Sequence, residues 1–311
     1  MTHAIGIDFG GTTIKSGLVH EGRILERAPI IDTQHFESPE AIVDALVEVV
    51  ELFRKSAPGV AGVGIGLPGL VDSVNGVVHQ LTNVAGWKDV ALGTIIRERT
   101  RLAVTIENDA NAMAYGEFKY GAARDARHVV CVTLGTGVGG ALILDGRLYR
   151  GAQLGAGEIG HASLDYRGRP GPYGNFGGLE EYVGNVQIAE RAAERYQAAG
   201  QMKLPGQCTP FDLAHAAGEG DPIAKQLWED LGDEIGAALA NVVWVLNPDA
   251  IVIGGGVAKA GEVLFDPIRR SVRSRTAKVF HEFLKIVPAT LENDAGIIGN
   301  ACLALEHARG V

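Results

Sequence analysis

The chain alternates between short apolar runs and longer stretches in which apolar positions recur with helical periodicity. The short runs are typical of buried strands, and they lie at residues 4–8, 14–19, 60–67, 103–107, 129–133, 141–144 and 251–253. The helical stretches lie near residues 39–55, 109–119 and 222–246, and two of them follow a polar N-cap residue and a proline, Ser38-Pro39 and Asp221-Pro222. Alternating strands and helices predict an α/β fold.

An internal repeat relates the first and second halves of this pattern. Aligning Gly11 with Gly135 also aligns the threonines that follow them and the tight turn after the next strand of each half. The sequence Glu-Asn-Asp-Ala occurs twice as well, at residues 107–110 and 292–295. One such match is typical of any two β-hairpins, but two matches in the same order favour an internal duplication.

Composition and charge then exclude several classes of protein. The 311 residues include 28 basic and 37 acidic side chains, for a formal charge of -9, without the lysine and arginine runs that bind nucleic acid. The 3 cysteines are far apart and odd in number, which argues against a disulfide framework. No uninterrupted apolar stretch is long enough to span a membrane, and the first residues do not resemble a signal peptide. We therefore expect a soluble cytoplasmic protein that binds neither nucleic acid nor membrane.

The 43 glycines are about twice the usual share, and many of them lie between predicted elements. Residues 64–69 and 135–140 both fit G-x-G-x-x-G, but neither is followed directly by the helix that a dinucleotide site requires. Lys15-Ser16 resembles the end of a P-loop, but isoleucine precedes it where that motif has glycine. We expect the glycine excess to mark turns and other loops whose backbone approaches a ligand closely.

Two glycine- and threonine-rich turns between strands are candidate phosphate-binding loops. They are Asp8-Phe9-Gly10-Gly11-Thr12-Thr13 and Leu134-Gly135-Thr136-Gly137. Backbone N–H groups and hydroxyls at such turns form a concave set of donors that suits polyphosphate oxygens. Asp8, at the end of its strand, would hold Mg²⁺ through water, because Mg²⁺ in proteins keeps several waters and binds few carboxylates.

These motifs occur in the order found in ROK-family sugar kinases, which nearly the whole chain resembles. The matching segments are Asp8-Phe9-Gly10-Gly11-Thr12, Glu107-Asn108-Asp109-Ala110-Asn111, Leu134-Gly135-Thr136-Gly137-Val138-Gly139-Gly140, Gly157-Glu158-Ile159-Gly160-His161 and Gly254-Gly255-Gly256. That family belongs to the actin/hexokinase-like ATPases. The resemblance therefore implies two duplicated actin-like (ribonuclease H-like) α/β domains with a cleft between them. Residues 1–118 with 299–311 would form a small domain, and residues 119–298 a large one.

The resemblance also implies an activity, a nucleotide site and an oligomeric state. The activity would be phosphorylation of the 6-hydroxyl of a hexose, most commonly glucose, with ATP as co-substrate and Mg²⁺ as cofactor. The protein would be a homo-oligomer, either a dimer or a tetramer. The implied nucleotide-binding residues are Asp8, Gly10, Gly11, Thr12, Thr13, Lys15, Gly135, Thr136, Gly137, Gly255 and Gly256.

Asp109 is the candidate catalytic base. A sugar hydroxyl is a poor nucleophile, so a carboxylate that accepts its proton assists phosphoryl transfer. Asp109 lies where a predicted strand ends and a helix begins, and a helix N-terminus favours an ionised carboxylate. The local sequence fits a simple helix N-cap as well, and Asp294 has the same neighbours. Only the resemblance distinguishes Asp109 from Asp294, because Asp109 matches the family's catalytic aspartate.

A second set of polar residues would bind the sugar. The resemblance implies Gly69, Asn83, Asn108, Asp109, Glu158, His161 and Glu180. Amide and carboxylate groups suit sugar hydroxyls, which both donate and accept hydrogen bonds. Such a site rejects substrates that leave its buried polar groups unpaired. Without the resemblance, a packed or surface side chain would be the more ordinary interpretation of the histidine.

The chain departs from the family at the segment that usually binds zinc. Family members follow the Gly-His pair with three cysteines, which bind structural zinc together with the histidine. Here those positions are Gly171, Tyr173 and Gly178, and His161 alone cannot complete a tetrahedral zinc site. We therefore predict that the protein binds no zinc and that His161 binds substrate only. Tyr173 and Phe176 are candidates for the packing that holds the loop instead.

Several alternatives stay open on the sequence alone. Kinases of N-acetylglucosamine, N-acetylmannosamine, mannose, fructose and allose share these motifs, and some zinc-less relatives use polyphosphate as the phosphoryl donor. The family also contains sugar-sensing repressors, but those carry an N-terminal helix-turn-helix domain, for which we expect no room before a first strand that begins by Ile5. A non-metabolic actin-like ATPase would share the phosphate loops without needing the sugar-binding set.

Overall fold

A computed structural model describes residues 2–36, 38–81, 84 and 86–310. The strands are β1 (His3–Phe9), β2 (Thr13–His20), β3 (Arg23–Arg27), β4 (Ile31–Asp32), β5 (Val60–Leu67), β6 (Leu70–Asp72), β7 (Val77–Gln80), β8 (Lys88–Val90), β9 (Ala103–Asn108), β10 (Val129–Leu134), β11 (Val138–Leu144), β12 (Arg147–Tyr149), β13 (Ala250–Gly254) and β14 (Lys285–Pro288). The α-helices are α1 (Pro39–Ser56), α2 (Leu92–Thr100), α3 (Asp109–Tyr120), α4 (Glu180–Val183), α5 (Asn185–Ala198), α6 (Pro210–Gly218), α7 (Pro222–Leu246), α8 (Glu262–Arg275), α9 (Lys278–His281) and α10 (Ala295–Arg309). The predicted α/β fold is confirmed.

The chain divides into two compact units. Unit 1 comprises Met1–Asp125, Leu148–Ala156 and Thr290–Val311, and unit 2 comprises Ala126–Arg147 and Gly157–Ala289. The chain therefore leaves unit 1 and returns to it twice. The domain boundaries expected from the sequence, after residues 118 and 298, stay a prediction.

The main sheet of unit 1 brings several candidate residues to one edge. Its strand order is β3-β2-β1-β5-β9, with β4 beside β2. β1 pairs antiparallel with β2, so that Asp8 lies opposite Lys15, and it pairs parallel with β5. β5 and β9 are also parallel. Because the carboxyl ends of parallel strands meet at the same edge of a sheet, Asp8 and Asn108 lie at one edge, as ligand-binding residues do in α/β proteins. A smaller sheet has the order β6-β7-β8.

Helix α1 covers one face of this sheet. It begins after Ser38, whose side-chain oxygen accepts a hydrogen bond from the Ala41 N–H at 3.3 Å. Its buried side chains recur at helical spacing and join those of β1 and β5 in one hydrophobic core. Full burial of one such side chain contributes about 1.5–3 kcal/mol, so the core fixes the strands that carry the candidate residues.

Helix α10 packs on β1, β5 and α3 with very close backbone contacts. Gly6 of β1 and Gly64 of β5 face carbonyl oxygens of α10, and Gly299 of α10 faces the carbonyl oxygen of Ala112 in α3. A Cβ at any of these glycines would overlap the facing oxygen. The missing side chain at these glycines permits close packing of α10, a cause of the glycine excess that was not predicted from the sequence.

In unit 2, as in unit 1, a glycine-rich turn joins two antiparallel strands of the sheet. Its strands lie in the order β11-β10-β13-β14, with β12 at the edge beyond β11. β10 pairs antiparallel with β11 and parallel with β13. The parallel pairing brings Gly254, at the end of β13, opposite Thr133, next to the second candidate phosphate loop. None of the helices in the described part of the chain has the length and hydropathy needed to cross a lipid bilayer.

Candidate active site

The turn between β1 and β2 is the first candidate phosphate loop. The Gly10 N–H donates a hydrogen bond to the Thr13 carbonyl oxygen at 2.8 Å. Thr33 contacts the same turn: its N–H donates to the Thr12 carbonyl oxygen at 2.9 Å, and its hydroxyl donates to the Gly11 carbonyl oxygen at 3.2 Å. Thr33 is buried, so these bonds fix the path of the loop. This residue was not identified from the sequence.

Two carboxylates lie close to each other in unit 1, and burial makes both less acidic than usual. The pKa of Asp8 is raised from its ordinary 3.8 to about 6, first by burial and then by the negative charge of Asp109, whereas Lys15 lowers it. The pKa of Asp109 is also raised, mainly by burial, although the Ala110 N–H donates to its Oδ1 at 2.8 Å. Two carboxylates whose ionised forms repel each other provide oxygen ligands and negative charge, which suit a divalent cation.

Asn108, and not Asp109, is the N-cap of α3. The Asn108 Oδ1 accepts hydrogen bonds from the N–H groups of Ala110 at 2.9 Å and Asn111 at 3.2 Å. Asp109 is therefore the first helical residue, and the simple N-cap interpretation of this carboxylate is wrong. The Asn108 Nδ2 lies 3.5 Å from the carbonyl oxygen of Gly69, so the amide group contacts another residue of the predicted sugar-binding set.

A buried ion pair holds the turn that precedes Asp109. Glu107 is buried near the end of β9, and its Oε2 accepts hydrogen bonds from Arg150 Nε at 2.7 Å and Nη2 at 2.6 Å. Its Oε1 accepts from the Asn108 N–H and from Asn111 Nδ2, both at 3.0 Å. These partners lie around the start of α3 or on Arg150, so Glu107 orients the helix that begins with Asp109. In the sequence, the signal for Glu107 is a charged residue within a strand that is otherwise apolar.

Gly69 has a structural reason to be glycine. Its φ is +90°, in the region that side chains rarely adopt, and a Cβ here would lie 2.6 Å from the carbonyl oxygen of Gln80. The residue therefore shapes the chain between β5 and β6. Asn83, the other less typical member of the predicted sugar-binding set, lies outside the described residues.

The turn between β10 and β11 is the second candidate phosphate loop. The Gly135 N–H donates to the Gly137 carbonyl oxygen at 2.9 Å, which closes the turn. The Gly135 carbonyl oxygen accepts a hydrogen bond from the Asn185 N–H at 2.9 Å. The Val138 N–H donates to Glu180 Oε2 at 2.7 Å. A predicted sugar-binding carboxylate thus contacts a predicted nucleotide-binding loop.

The glycines after β13 lie beside this second loop. Gly255 has a φ of +89°, and a Cβ there would overlap the carbonyl oxygen of Leu134, the residue before the loop. At Gly256 a Cβ would meet nothing within 4 Å. Close backbone approach therefore explains the glycine at position 255, whereas open space surrounds position 256.

Glu158 and His161 lie on one short turn. Residues Ile159–His161 form a 3-10 helix that begins after Glu158. The His161 carbonyl oxygen accepts a hydrogen bond from Asn175 Nδ2 at 3.2 Å. The His161 ring contacts the edge of the Tyr173 ring, with the ring centroids 4.9 Å apart. The loop that usually binds zinc thus touches this histidine through a side-chain amide and an aromatic ring.

The residues of that loop do not fit a zinc ion. The positions of the family's three cysteines are glycine or tyrosine, and in the described ranges no three His, Cys, Asp or Glu side chains cluster closely enough to hold a metal. Hydrogen bonds to backbone oxygens shape the loop instead, and in one of them the Ser163 hydroxyl donates to the Phe176 carbonyl oxygen at 2.7 Å. Tyr173 contacts the histidine as expected, but the Tyr173 and Phe176 side chains are both more than half exposed. Asn175, which was not considered from the sequence, makes the polar contact.

The predicted residues are distributed over both units. The members in unit 1 are Asp8, Gly10, Gly11, Thr12, Thr13, Lys15, Gly69, Asn108 and Asp109. The members in unit 2 are Gly135, Thr136, Gly137, Glu158, His161, Glu180, Gly255 and Gly256. Within unit 1 the charges of Asp8, Lys15 and Asp109 interact, and within unit 2 Glu180 contacts the phosphate loop.

Three relatives show what this chain is similar to. A glucokinase of Streptomyces coelicolor is 36% identical over 315 residues, which cover 97% of either chain. The crystal structure of a ROK family glucokinase from Streptomyces griseus in complex with glucose and AMPPNP has a TM-score of 0.79 at 33% identity, and the match covers 98% of this chain and 99% of that one. A xylose repressor of Bacillus spizizenii is 31% identical over 98% of this chain and 77% of its own.

The family model describes nearly the whole chain as well. The ROK family matches residues 4–307, from the second residue of β1 to within α10. The match includes both candidate phosphate loops, the start of α3 and the turn with Glu158 and His161. Its structural relatives have the two-domain actin-like fold, and its sequence relatives include glucokinases. The chain belongs to the ROK family.

Proposed function

We propose that this protein is a glucokinase, which transfers the γ-phosphoryl group of ATP to the 6-hydroxyl of glucose. The chain is a sugar kinase of the ROK family, with glucokinase relatives over nearly its full length. The observation that carries the mechanism is the carboxylate of Asp109, which lies in the first turn of α3 and is near enough to Asp8 for its charge to raise the pKa of that residue. The donor, the sugar and the role of each residue below are parts of the proposal.

Asp109 acts as the general base. Its Oδ1 accepts the Ala110 N–H, and Glu107 with Arg150 holds the turn before it. Burial raises the pKa of the carboxyl group, which makes the ionised form a stronger proton acceptor for the sugar hydroxyl. The base thus takes the hydroxyl proton as the oxygen attacks the γ-phosphorus.

The two glycine loops and Asp8 bind the triphosphate. The threonine hydroxyls and backbone N–H groups of these loops would provide donors for phosphate oxygens, apart from the Gly10 and Gly135 N–H groups, which close their own turns. Lys15 would add a positive charge. Gly255 and Gly256 would lie along the adenosine. Asp8 would hold Mg²⁺ through water, and the Mg²⁺ that accompanies ATP would neutralise phosphate charge.

The predicted polar residues would bind the sugar. Asn108 has its Oδ1 engaged by backbone N–H groups, so its Nδ2 is the group that donates to a sugar hydroxyl. Glu158, His161 and Glu180 would contribute the remaining contacts, and the resemblance to the family adds Gly69 and Asn83 to this set. His161 acts without zinc, because the neighbouring loop offers the metal no further ligands. Elemental analysis tests this part, and one zinc per chain would contradict it.

The decisive assay couples ADP release to glucose. We expect glucose-dependent ADP formation and a glucose product phosphorylated at the 6-hydroxyl. A panel of hexoses and N-acetylhexosamines, each with ATP and with polyphosphate, ranks the alternative substrates and donors by kcat/KM. ADP release that is independent of every sugar would contradict the proposal and favour an actin-like ATPase. Size-exclusion chromatography tests the proposed dimer or tetramer.

A sugar-responsive regulator is the second candidate, and the match to the xylose repressor favours it. A repressor that only senses sugar would bind glucose or xylose without turnover. Calorimetric sugar binding together with no detectable ADP formation would support the regulator over the kinase. Turnover with glucose that is lost in Asp109→Asn would support the kinase.

A further inference from the structure

We propose that Glu180 couples sugar binding to the phosphate loop at residues 135–138. This inference rests on the proposed function, in which Glu180 binds the sugar and the loop binds the triphosphate. Its new element is a second role for the same carboxylate, as a positioning residue for the loop. All the contacts that carry it lie within unit 2.

The carboxylate of Glu180 lies directly against the loop. Its Oε2 accepts a hydrogen bond from the Val138 N–H at 2.7 Å, a length typical of a charge-assisted bond. A Cβ at Gly137 would overlap the same oxygen. The glycine at position 137 therefore leaves the space that the carboxylate fills, and the carboxylate fixes the residue at which the loop ends and β11 begins.

The backbone that follows Glu180 holds the other end of the loop. The Gly184 N–H donates to the Glu180 carbonyl oxygen at 3.1 Å, and the next residue, Asn185, donates its N–H to the Gly135 carbonyl oxygen at 2.9 Å. A Cβ at Gly184 would lie 3.0 Å from the Thr136 carbonyl oxygen. The segment from 180 to 185 thus contacts the loop at both ends, through one side chain and one backbone N–H.

A carboxylate can serve a sugar and the loop together. It has two oxygens with about four acceptor positions, and the bond from Val138 uses only one of them. Glu180 is partly exposed, so its remaining acceptor positions are open to a hydroxyl. A sugar hydroxyl that donates to Glu180 restricts the side-chain rotamer. The restricted carboxylate then holds the Val138 N–H, and with it the loop, in one conformation.

The expected result is positive coupling between sugar and nucleotide. Because coupling between two ligands is reciprocal, glucose should tighten nucleotide binding by the same factor by which the nucleotide tightens glucose binding. Typical couplings of this kind are about 5- to 150-fold. We expect the lower end of this range, since one side chain carries the link.

The experiment measures the Kd of Mg²⁺–AMPPNP by calorimetry, with and without saturating glucose, on the full chain. In the wild-type protein we expect at least about five-fold tighter binding with glucose. Glu180→Ala should weaken AMPPNP binding even without glucose, a change that a residue acting only on the sugar would not cause. Glu180→Gln keeps an oxygen for the Val138 N–H and should retain most of the sugar-free affinity.

Two further variants distinguish a loss of coupling between sugar and nucleotide from a general loss of structure. Gly137→Ala displaces the carboxylate but leaves Glu180 in the chain, so it should lower the coupling ratio towards one while glucose still binds. Glu181→Ala, at the neighbouring position of α4, is the matched control and should keep the wild-type ratio. The coupling would be overturned if glucose left the Kd of AMPPNP unchanged in the wild-type protein. It would also be overturned if Glu180→Ala changed neither the effect of glucose on this Kd nor the Kd measured without glucose. In either case, turnover with glucose would still support the kinase. Absence of turnover with glucose would overturn both.

Discussion

Replacement of Asp8 by asparagine should stabilise unit 1 while it abolishes catalysis. The Asp8 carboxyl group is held at the end of β1, near Asp109 and against Gly296 of α10, where a Cβ would lie 2.9 Å from Asp8 Cγ. This position raises its pKa to about 6. Folding therefore disfavours the ionised form, and asparagine removes the charge with little change in shape.

The magnitude follows from the difference between the folded and unfolded pKa values. An acid whose pKa rises from 3.8 to about 6 on folding binds its proton more tightly in the folded state. The free energy of unfolding then falls as the pH rises from about 4 to about 6, and the full penalty applies above pH 7. Each pKa unit corresponds to about 1.4 kcal/mol, so the penalty is about 3 kcal/mol at most. Since a buried amide also costs free energy, we expect a gain of about 1–3 kcal/mol in Asp8→Asn at pH 8.

The assay is urea unfolding at pH 8 and pH 5 in EDTA without nucleotide. Trp87 is the one tryptophan of unit 1, so the change in its emission is the contribution of that unit to the fluorescence signal, beside those of Trp228 and Trp244 in unit 2. The gain should be largest at pH 8 and about 1.4 kcal/mol smaller at pH 5, because pH 5 lies between the unfolded and the folded pKa values, where only part of the penalty applies. Asp72→Asn is the matched control in the same unit: hydrogen bonds from Asn75 lower the pKa of Asp72, so this substitution should not stabilise the protein at pH 8. A variant less stable than the wild type at pH 8, or a gain equal at both pH values, would refute this account of Asp8.

Four further predictions concern the base, its support, the zinc-less loop and the helix contact. Asp109→Asn should keep the Kd for glucose within a few-fold and lower kcat by about 10²–10⁴-fold, measured by calorimetry and the coupled assay; near-normal kcat would contradict its role as base. Arg150→Met leaves the buried Glu107 carboxylate without its charged partner, so it should lower the free energy of unfolding in urea by about 3–5 kcal/mol. A loss under about 1 kcal/mol would show that the ion pair is dispensable. Asn175→Ala should raise the KM for glucose more than it lowers kcat, with activity unchanged by a zinc chelator in both proteins; a chelator-sensitive wild type would contradict the metal-free loop. Gly299→Ala places a methyl group on a backbone oxygen and should lower the Tm by several degrees or prevent folding, whereas an unchanged Tm would show that α10 shifts at no cost.

Local sequence patterns predicted the elements well where a single period dominated. The strand at Val60–Leu67 and the helix at Pro222–Leu246 have the predicted bounds, because one is continuously apolar and the other begins at a proline and ends at Asn247 in the left-handed conformation. Helix α10 was missed, since Gly296 and Gly299 weaken its helical signal. Its contacts explain those glycines, but they depend on residues almost 300 positions away in sequence, such as the Asn300 Nδ2 that donates to the Ile7 carbonyl oxygen.

The candidate site was predicted as separate motifs, without the bonds that connect them. The position of Asp109 after a strand could be inferred from its own neighbours. The pairing of Glu107 with Arg150 spans 43 positions and follows no local period. The contact of Asn175 with His161 depends on the fold of an irregular loop in the same way. Long-range polar contacts of this kind have no sequence signature of their own, whereas turns and caps do.

Because α10 completes unit 1, the order in which the two units can fold differs from their order in the chain. All of unit 2 lies between residue 125 and residue 290, so it leaves the ribosome before α10 is made. At about 5–20 residues per second, roughly ten to sixty seconds pass between the synthesis of β1 and β5 and that of the helix that covers their glycines. During that time unit 2 has its whole sequence available, and unit 1 presents an uncovered sheet face. The part of the protein that is synthesised first is thus the part that finishes folding last.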